Sequence, residues 1–125
     1  MLVRTLPTKG KMVVFDLEYT AWDGSLANNW SRPGEHREIV QIGAVKLDAT
    51  DGMVELDSFE CLVMPKNNPI LSDYFIELTG ITQDRVDSHG VSFSEMLSLF
   101  EAFVMMSLWQ FPMDPMATSL LKTAS

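Results

Sequence analysis

Hydrophobic residues follow two rhythms along this chain. Up to about residue 63 the apolar positions come in short, β-branched runs. Met12-Val-Val-Phe15 is one such run, and it ends abruptly in Asp16. That is the pattern of a buried central strand delivering a carboxylate at its C-terminal end. Residues 20–37 are rich in Gly, Asn, Ser, Pro and Trp and predict an irregular loop. Glu38 to Leu47 and Met53 to Val63 predict two further strands. The polar turn Asp48-Ala-Thr-Asp-Gly52 would join them as an antiparallel hairpin.

After Met64-Pro65 the rhythm becomes helical. Ser72 can cap a short helix that ends at Leu78-Thr79, with Gly80 just beyond it in the left-handed cap position. Thr82 can cap a further turn. Ser92-Phe-Ser-Glu95 fits a capping box. From there Phe93, Met96, Leu97, Phe100, Phe103 and Val104 recur at i, i+3, i+4 spacing and predict an amphipathic helix. Ser107 to Phe111 reads as a short fourth strand, and Asp114-Pro115 as the cap and first residue of a last helix to about Lys122. An antiparallel three-strand start, then helices, strand and helix predicts an α/β fold with a mixed sheet.

Composition narrows the picture. The chain has 125 residues, 46% of them apolar, so a single domain over 1–125 with a real core is expected. A net charge of −8 argues against gripping long duplexes through a phosphate-neutralising surface. It leaves room for a site that handles one strand end with a few phosphate contacts. No apolar run is long enough to span a membrane, and the first residues lack the apolar core of a signal peptide. The single cysteine, Cys61, sits in an apolar run and reads as a buried thiol in a reducing compartment, so a cytoplasmic protein is expected.

The chemistry-bearing feature is Asp16-Leu17-Glu18. Period two places both acids on one face of a strand, a few ångströms apart. Two like charges so close repel unless a cation joins them. Hard divalent ions such as Mg²⁺ or Mn²⁺ take oxygen ligands, and two carboxylates with water and a substrate phosphate suit them. A bare pair of this kind also occurs as two solvated acids at a strand terminus, so the surrounding sequence decides.

That context is specific. Val13-Val-Phe-Asp-Leu-Glu-Tyr-Thr20, a loop, then Glu38-Ile-Val-Gln-Ile-Gly-Ala-Val-Lys-Leu47 resembles the opening of the DEDD-type 3′–5′ exonucleases. Phe59-Glu-Cys-Leu-Val-Met-Pro65, Asn68-Pro69 and Glu77-Leu-Thr-Gly-Ile-Thr82 follow in the family's order and spacing. The nearest likeness is to the branch that trims histone-mRNA and small-RNA ends, beside ribonuclease T and the proofreading subunit of replicative polymerase. The resemblance implies an RNase H-like fold and hydrolysis of single-stranded RNA or DNA from its 3′ end, releasing nucleoside 5′-monophosphates. Asp16 would bridge two divalent ions, and Glu18 would hold the one that activates water. Asp114 falls where the family has its second-motif acid and metal ligand. Tyr19 and Thr20 fall where the family contacts the terminal nucleotide, and Leu78 to Ile81 where it presents an apolar wedge; Leu78 and Ile81 fit core packing equally well. Trp22, in the long loop, is a candidate for stacking on bases, and Trp30 for anchoring the loop.

The stretch from about residue 105 departs from the pattern. Pro112 stands where a small residue is expected, and nothing after Asp114 supplies the His and Asp of the family's last helix, whose His serves as general base. His36 and His89 lie upstream and read as exposed. The domain is therefore expected to be divergent or incomplete over 105–125, with metal held weakly or as one ion. Uncovered apolar surface would favour a homodimer or an exchange of elements between chains. The alternative to an exonuclease is a catalytically inactive remnant that serves as a binding module.

Overall fold

The computed structural model describes residues 10–108. Strand β1 spans Lys11–Tyr19, β2 Ile39–Asp48 and β3 Val54–Leu62; the helices are α1 Ser25–Asn28, α2 Asp73–Thr79, α3 Gln83–His89 and α4 Phe93–Leu108. The three strands form one antiparallel sheet in the order β1-β2-β3. Val63 adds an isolated parallel bridge to Val91. Among the described residues β1 is thus an edge strand, not the central one its apolar run implied. It also continues through Asp16 to Tyr19, because β2 is long enough to pair with it over that whole length. The acids sit inside the ladder and not at its end.

The hairpin between β2 and β3 closes as its residues dictate. Asp48 accepts a hydrogen bond from the Thr50 amide at 2.9 Å through its side chain, and its carbonyl accepts from the Met53 amide at 2.9 Å. Gly52 and Met53 take positive φ, 64° and 63°. The helix caps are also where the side chains place them. Ser72 accepts from the Phe75 amide, Thr82 from the Arg85 amide and Ser92 from the Glu95 amide. Gly80, at φ 76°, ends α2.

Two apolar clusters hold these elements. Under α2 and α3, Val40 and Leu62 pack with Leu71, Phe75, Ile81 and Val86. Under α4, Ile42, Ala44, Phe59 and Val63 pack with Met96 and Phe103. Phe100 meets Phe15 edge-on with centroids 5.4 Å apart and lies 5.9 Å from Phe59. Phe93 and Leu97, which the helical spacing also marks as apolar-face residues, are exposed, so the buried stripe of α4 is narrower than expected. Lys46 is buried among these residues with its ammonium 5.0 Å from the Phe103 ring, and burial lowers its pKa. Cys61 is half-buried, and burial pushes its thiol pKa up, with nearby Glu95 adding to the shift.

Helix α4 runs on through Leu108, so the fourth strand expected from Ser107 does not begin there. Its remaining residues, the last helix and Asp114 lie outside the described residues. Among the described residues no helix is long and apolar enough to cross a membrane.

Candidate active site

Asp16 and Glu18 are two residues apart on β1, so both side chains leave the same face, about 6–7 Å apart along the strand. Register fixes their neighbours: Asp16 lies opposite Gly43 and Glu18 opposite Gln41. Residues directly opposite in an antiparallel ladder share a face. One strand further, Gly43 pairs with Glu60. The other face carries Phe15, Leu17, Ala44, Ile42, Phe59 and Cys61, and this is the face that α4 covers. The acids therefore point away from α4. A Cβ added at Gly43 would meet nothing within 4 Å among the described residues, which leaves room beside Asp16.

Asp16 is exposed and Glu18 half-buried, and neither carboxylate takes part in a hydrogen bond or ion pair with a described residue. Glu60, by contrast, accepts from the Gln41 side-chain amide at 2.9 Å and lies 3.7 Å from the Arg85 guanidinium. Two adjacent carboxylates with free oxygens and open ground before them fit the donor chemistry of a hard divalent cation. Among the described residues no group of three or more ligating side chains comes together, so the pair supplies only part of a coordination shell.

Beyond β1 the chain is pinned by polar contacts. Thr20 is 3% exposed; its hydroxyl donates to the His36 carbonyl and accepts from the Glu38 amide at 3.0 Å. Its backbone amide donates to the Glu38 carbonyl at 2.8 Å, and its carbonyl accepts from the Trp30 indole N–H at 2.8 Å. Trp30 contacts the Tyr19 ring at 5.6 Å and carries the Arg37 guanidinium 4.1 Å from its centroid. Within the loop, Ser25, Glu35 and Arg32 form a linked set, with Arg32 2.6 Å from Glu35. The Arg32 guanidinium holds the Glu35 carboxyl below the ordinary carboxylate range, aided by Ser25 and opposed by desolvation. Glu38 then ties this loop to the segment after β3. Its Oε1 accepts from the amides of Lys66 and Asn67, each at 2.8 Å, and its Oε2 accepts from that of Asn68 at 2.9 Å.

The expected nucleotide contacts divide accordingly. Tyr19 is exposed at the end of β1, one residue beyond Glu18, and Trp22 is half-buried in the loop. Thr20 has its hydroxyl engaged by backbone groups on both sides, which is a fixing role for the end of β1. Leu78 is 65% exposed while Ile81 is 2% exposed and packs in the core, so the structure separates two residues that the sequence left equal. Trp30 anchors the loop, and His36 and His89 are exposed, as their settings implied. The sequence reading missed Gly43, whose signal is a glycine inside an otherwise β-branched strand. It also missed Glu38, whose three amide partners lie about thirty residues on and leave no local signal.

Residues 13–111 match the RNase_T family, described as exonuclease. ERI1 exoribonuclease 2 of Xenopus laevis is 36% identical over 95 residues, which are 74% of this chain and 12% of that protein. The Drosophila melanogaster 3′-5′ exonuclease Snipper is 32% identical over 98 residues, 78% of this chain and 31% of that one. The chain thus spans a minor part of these relatives' length. Among solved structures, the nuclease domain of 3′hExo, a DEDDh family member bound to rAMP, superposes with a TM-score of 0.67 at 28% identity. That match covers 83% of this chain and 48% of the other. A full-length 3′-exonuclease gives 0.68 at 28% identity, covering 85% and 44%. An RNase H-like sheet with two adjacent acids on one face, and these likenesses along nearly the whole described chain, agree: the chain belongs to the RNase T exonuclease family, in its DEDD 3′–5′ branch.

Proposed function

We propose that this domain is a divalent-metal-dependent 3′–5′ exonuclease that removes nucleoside 5′-monophosphates from single-stranded RNA. The observation that carries the reading is the Asp16/Glu18 pair, two carboxylates on one face with no protein partner among the described residues and with Gly43 leaving room beside them. Bound Mg²⁺ or Mn²⁺ would polarise the scissile phosphate, lower the pKa of an attacking water and stabilise the leaving 3′ oxygen. Asp16 and Glu18 would hold the cation, and Asp114 is the expected third ligand. Tyr19 would meet the terminal nucleotide by its ring, and the exposed Leu78 by apolar contact. Preference for RNA is supported by two structural neighbours, one solved bound to rAMP and one a 3′-exonuclease recognising a histone mRNA stem-loop.

The test is a 5′-labelled single-stranded oligoribonucleotide incubated with Mn²⁺. Stepwise shortening from the 3′ end that is lost in Asp16→Ala is the expected result; equal, metal-independent behaviour of the two proteins contradicts it. One observation favours a second reading: no cluster of three ligands forms among the described residues. A binding module that retains the fold without turnover would bind the oligonucleotide but never shorten it.

A further inference from the structure

A groove of about 910 Å³ opens at the end of the sheet where β1 leaves off and β2 begins. Its walls come from Arg37 and Ile39, from Val63 to Lys66, and from the Gly90–Ser94 segment that leads into α4. Its floor is rigid. The Met64 amide donates to the Val91 carbonyl at 2.8 Å, and the Val91 amide to the Leu62 carbonyl at 2.9 Å. Gly90 is packed so closely that a Cβ there would lie 2.5 Å from the Val86 carbonyl oxygen and 3.2 Å from the Met64 amide nitrogen. The groove is therefore preformed.

Its charge is the reverse of the chain's. The protein carries −8, yet this groove presents Arg37 and Lys66. Of the other described cations, Arg32 and Arg85 are in ion pairs, Lys46 is buried, and Lys11 is exposed at the far end of β1, opposite Asp48. Glu38 is the one acid lining the groove, and its carboxylate is already engaged by three backbone amides. Two cations against one acid whose oxygens are turned to backbone amides favour an anionic occupant. Beside them Phe93, 53% exposed, and Met64, 39% exposed, offer apolar surface. A cationic track flanked by an exposed ring is the combination that holds single-stranded nucleic acid without reading its sequence.

The groove adjoins the end of β1 that follows the acids. Ile39 in its wall pairs with Tyr19, the residue that follows Glu18, and Trp30 contacts both Tyr19 and Arg37. We propose that this groove carries the nucleotides upstream of the scissile 3′ end, with Arg37 and Lys66 on their phosphates and Phe93 stacked on a base. The inference rests on the exonuclease reading for its direction of travel, but the groove's binding can be measured apart from hydrolysis.

Fluorescence anisotropy with labelled two- and eight-nucleotide RNAs, in EDTA, isolates the groove from any metal-mediated contact. The eight-mer should bind at least about fivefold more tightly than the two-mer. Phe93→Ala should weaken the eight-mer about fivefold or more. Lys66→Gln should weaken it too and lower the slope of log affinity against log salt by about 0.7. Both residues are at the surface, and thermal unfolding reports that each variant is folded. Eight-mer affinity and salt slope unchanged in both folded variants would overturn the proposal. So would a polyglutamate peptide competing as well as RNA of equal charge, which would make the groove a protein-docking site. Stepwise shortening by wild type together with unchanged variants refutes the groove alone; groove-dependent binding without any shortening refutes turnover and leaves the groove standing.

Discussion

The two faces of the β1–β2–β3 sheet are built from alternate residues of the same strands, yet they do opposite things. On one face Phe15, Leu17, Ile42, Ala44 and Phe59 meet Met96, Phe100 and Phe103 of α4 and close a core. On the other, Asp16 and Glu18 have no partner, and Gly43 no neighbour in the way, among the described residues. A single-residue step along β1 moves from one regime to the other. The lesson is that strand alternation lets rigidity and reactivity share one element: packing on the far face fixes the backbone that aims the acids.

That contrast can be broken from either side. The largest effect on stability should come from the packed face. Phe59→Ala removes a ring in contact with both Phe100 and Phe103 and should cost about 3–5 kcal/mol in denaturant unfolding. On the acid face Asp16→Asn should do the reverse. Nucleotide release should fall by about 100-fold or more, while the unfolding midpoint stays within about 0.5 kcal/mol of wild type, since no described contact is lost and a like-charge repulsion is relieved. Trp30→Phe keeps the ring under Arg37 but removes the indole donor to the Thr20 carbonyl. It should cost about 1 kcal/mol and blunt activity without abolishing it, read as a coupled change in melting and rate.

The smallest effect concerns pH. Glu35 has its folded-state pKa depressed, chiefly by Arg32. Its contribution to stability is therefore fully present above the ordinary Glu value of about 4.3 and fades as pH falls through the lowered folded value. Wild type should lose this increment in acid-unfolding curves below that range, and Glu35→Gln should not show it.

Much of this was legible in the sequence because the signals are local. Ser72, Thr82 and Ser92 cap the helices they precede, Gly80 ends α2, and the hairpin turn lies where Asp48 to Gly52 put it. The acid pair was legible for the same reason, since side-chain alternation is a property of any strand. What escaped depended on partners far along the chain. Thr20 reads as a polar residue beside a site, but its hydroxyl is bound by groups 16 and 18 residues away. Leu78 and Ile81 share one apolar motif and part only because α2 turns one outward and the next turn buries the other. The length of β1 was underestimated because acids interrupt its apolar run, whereas pairing with β2 continues regardless of side-chain polarity.

The central claim is that Asp16 and Glu18 form a divalent-metal site on the open face. Calorimetric titration of Mn²⁺ into wild type, Asp16→Asn and Glu18→Gln tests it without requiring turnover. Saturable binding in wild type that is lost in both variants is the predicted result. Wild type that binds no Mn²⁺, or variants that bind it as wild type does, would contradict the account.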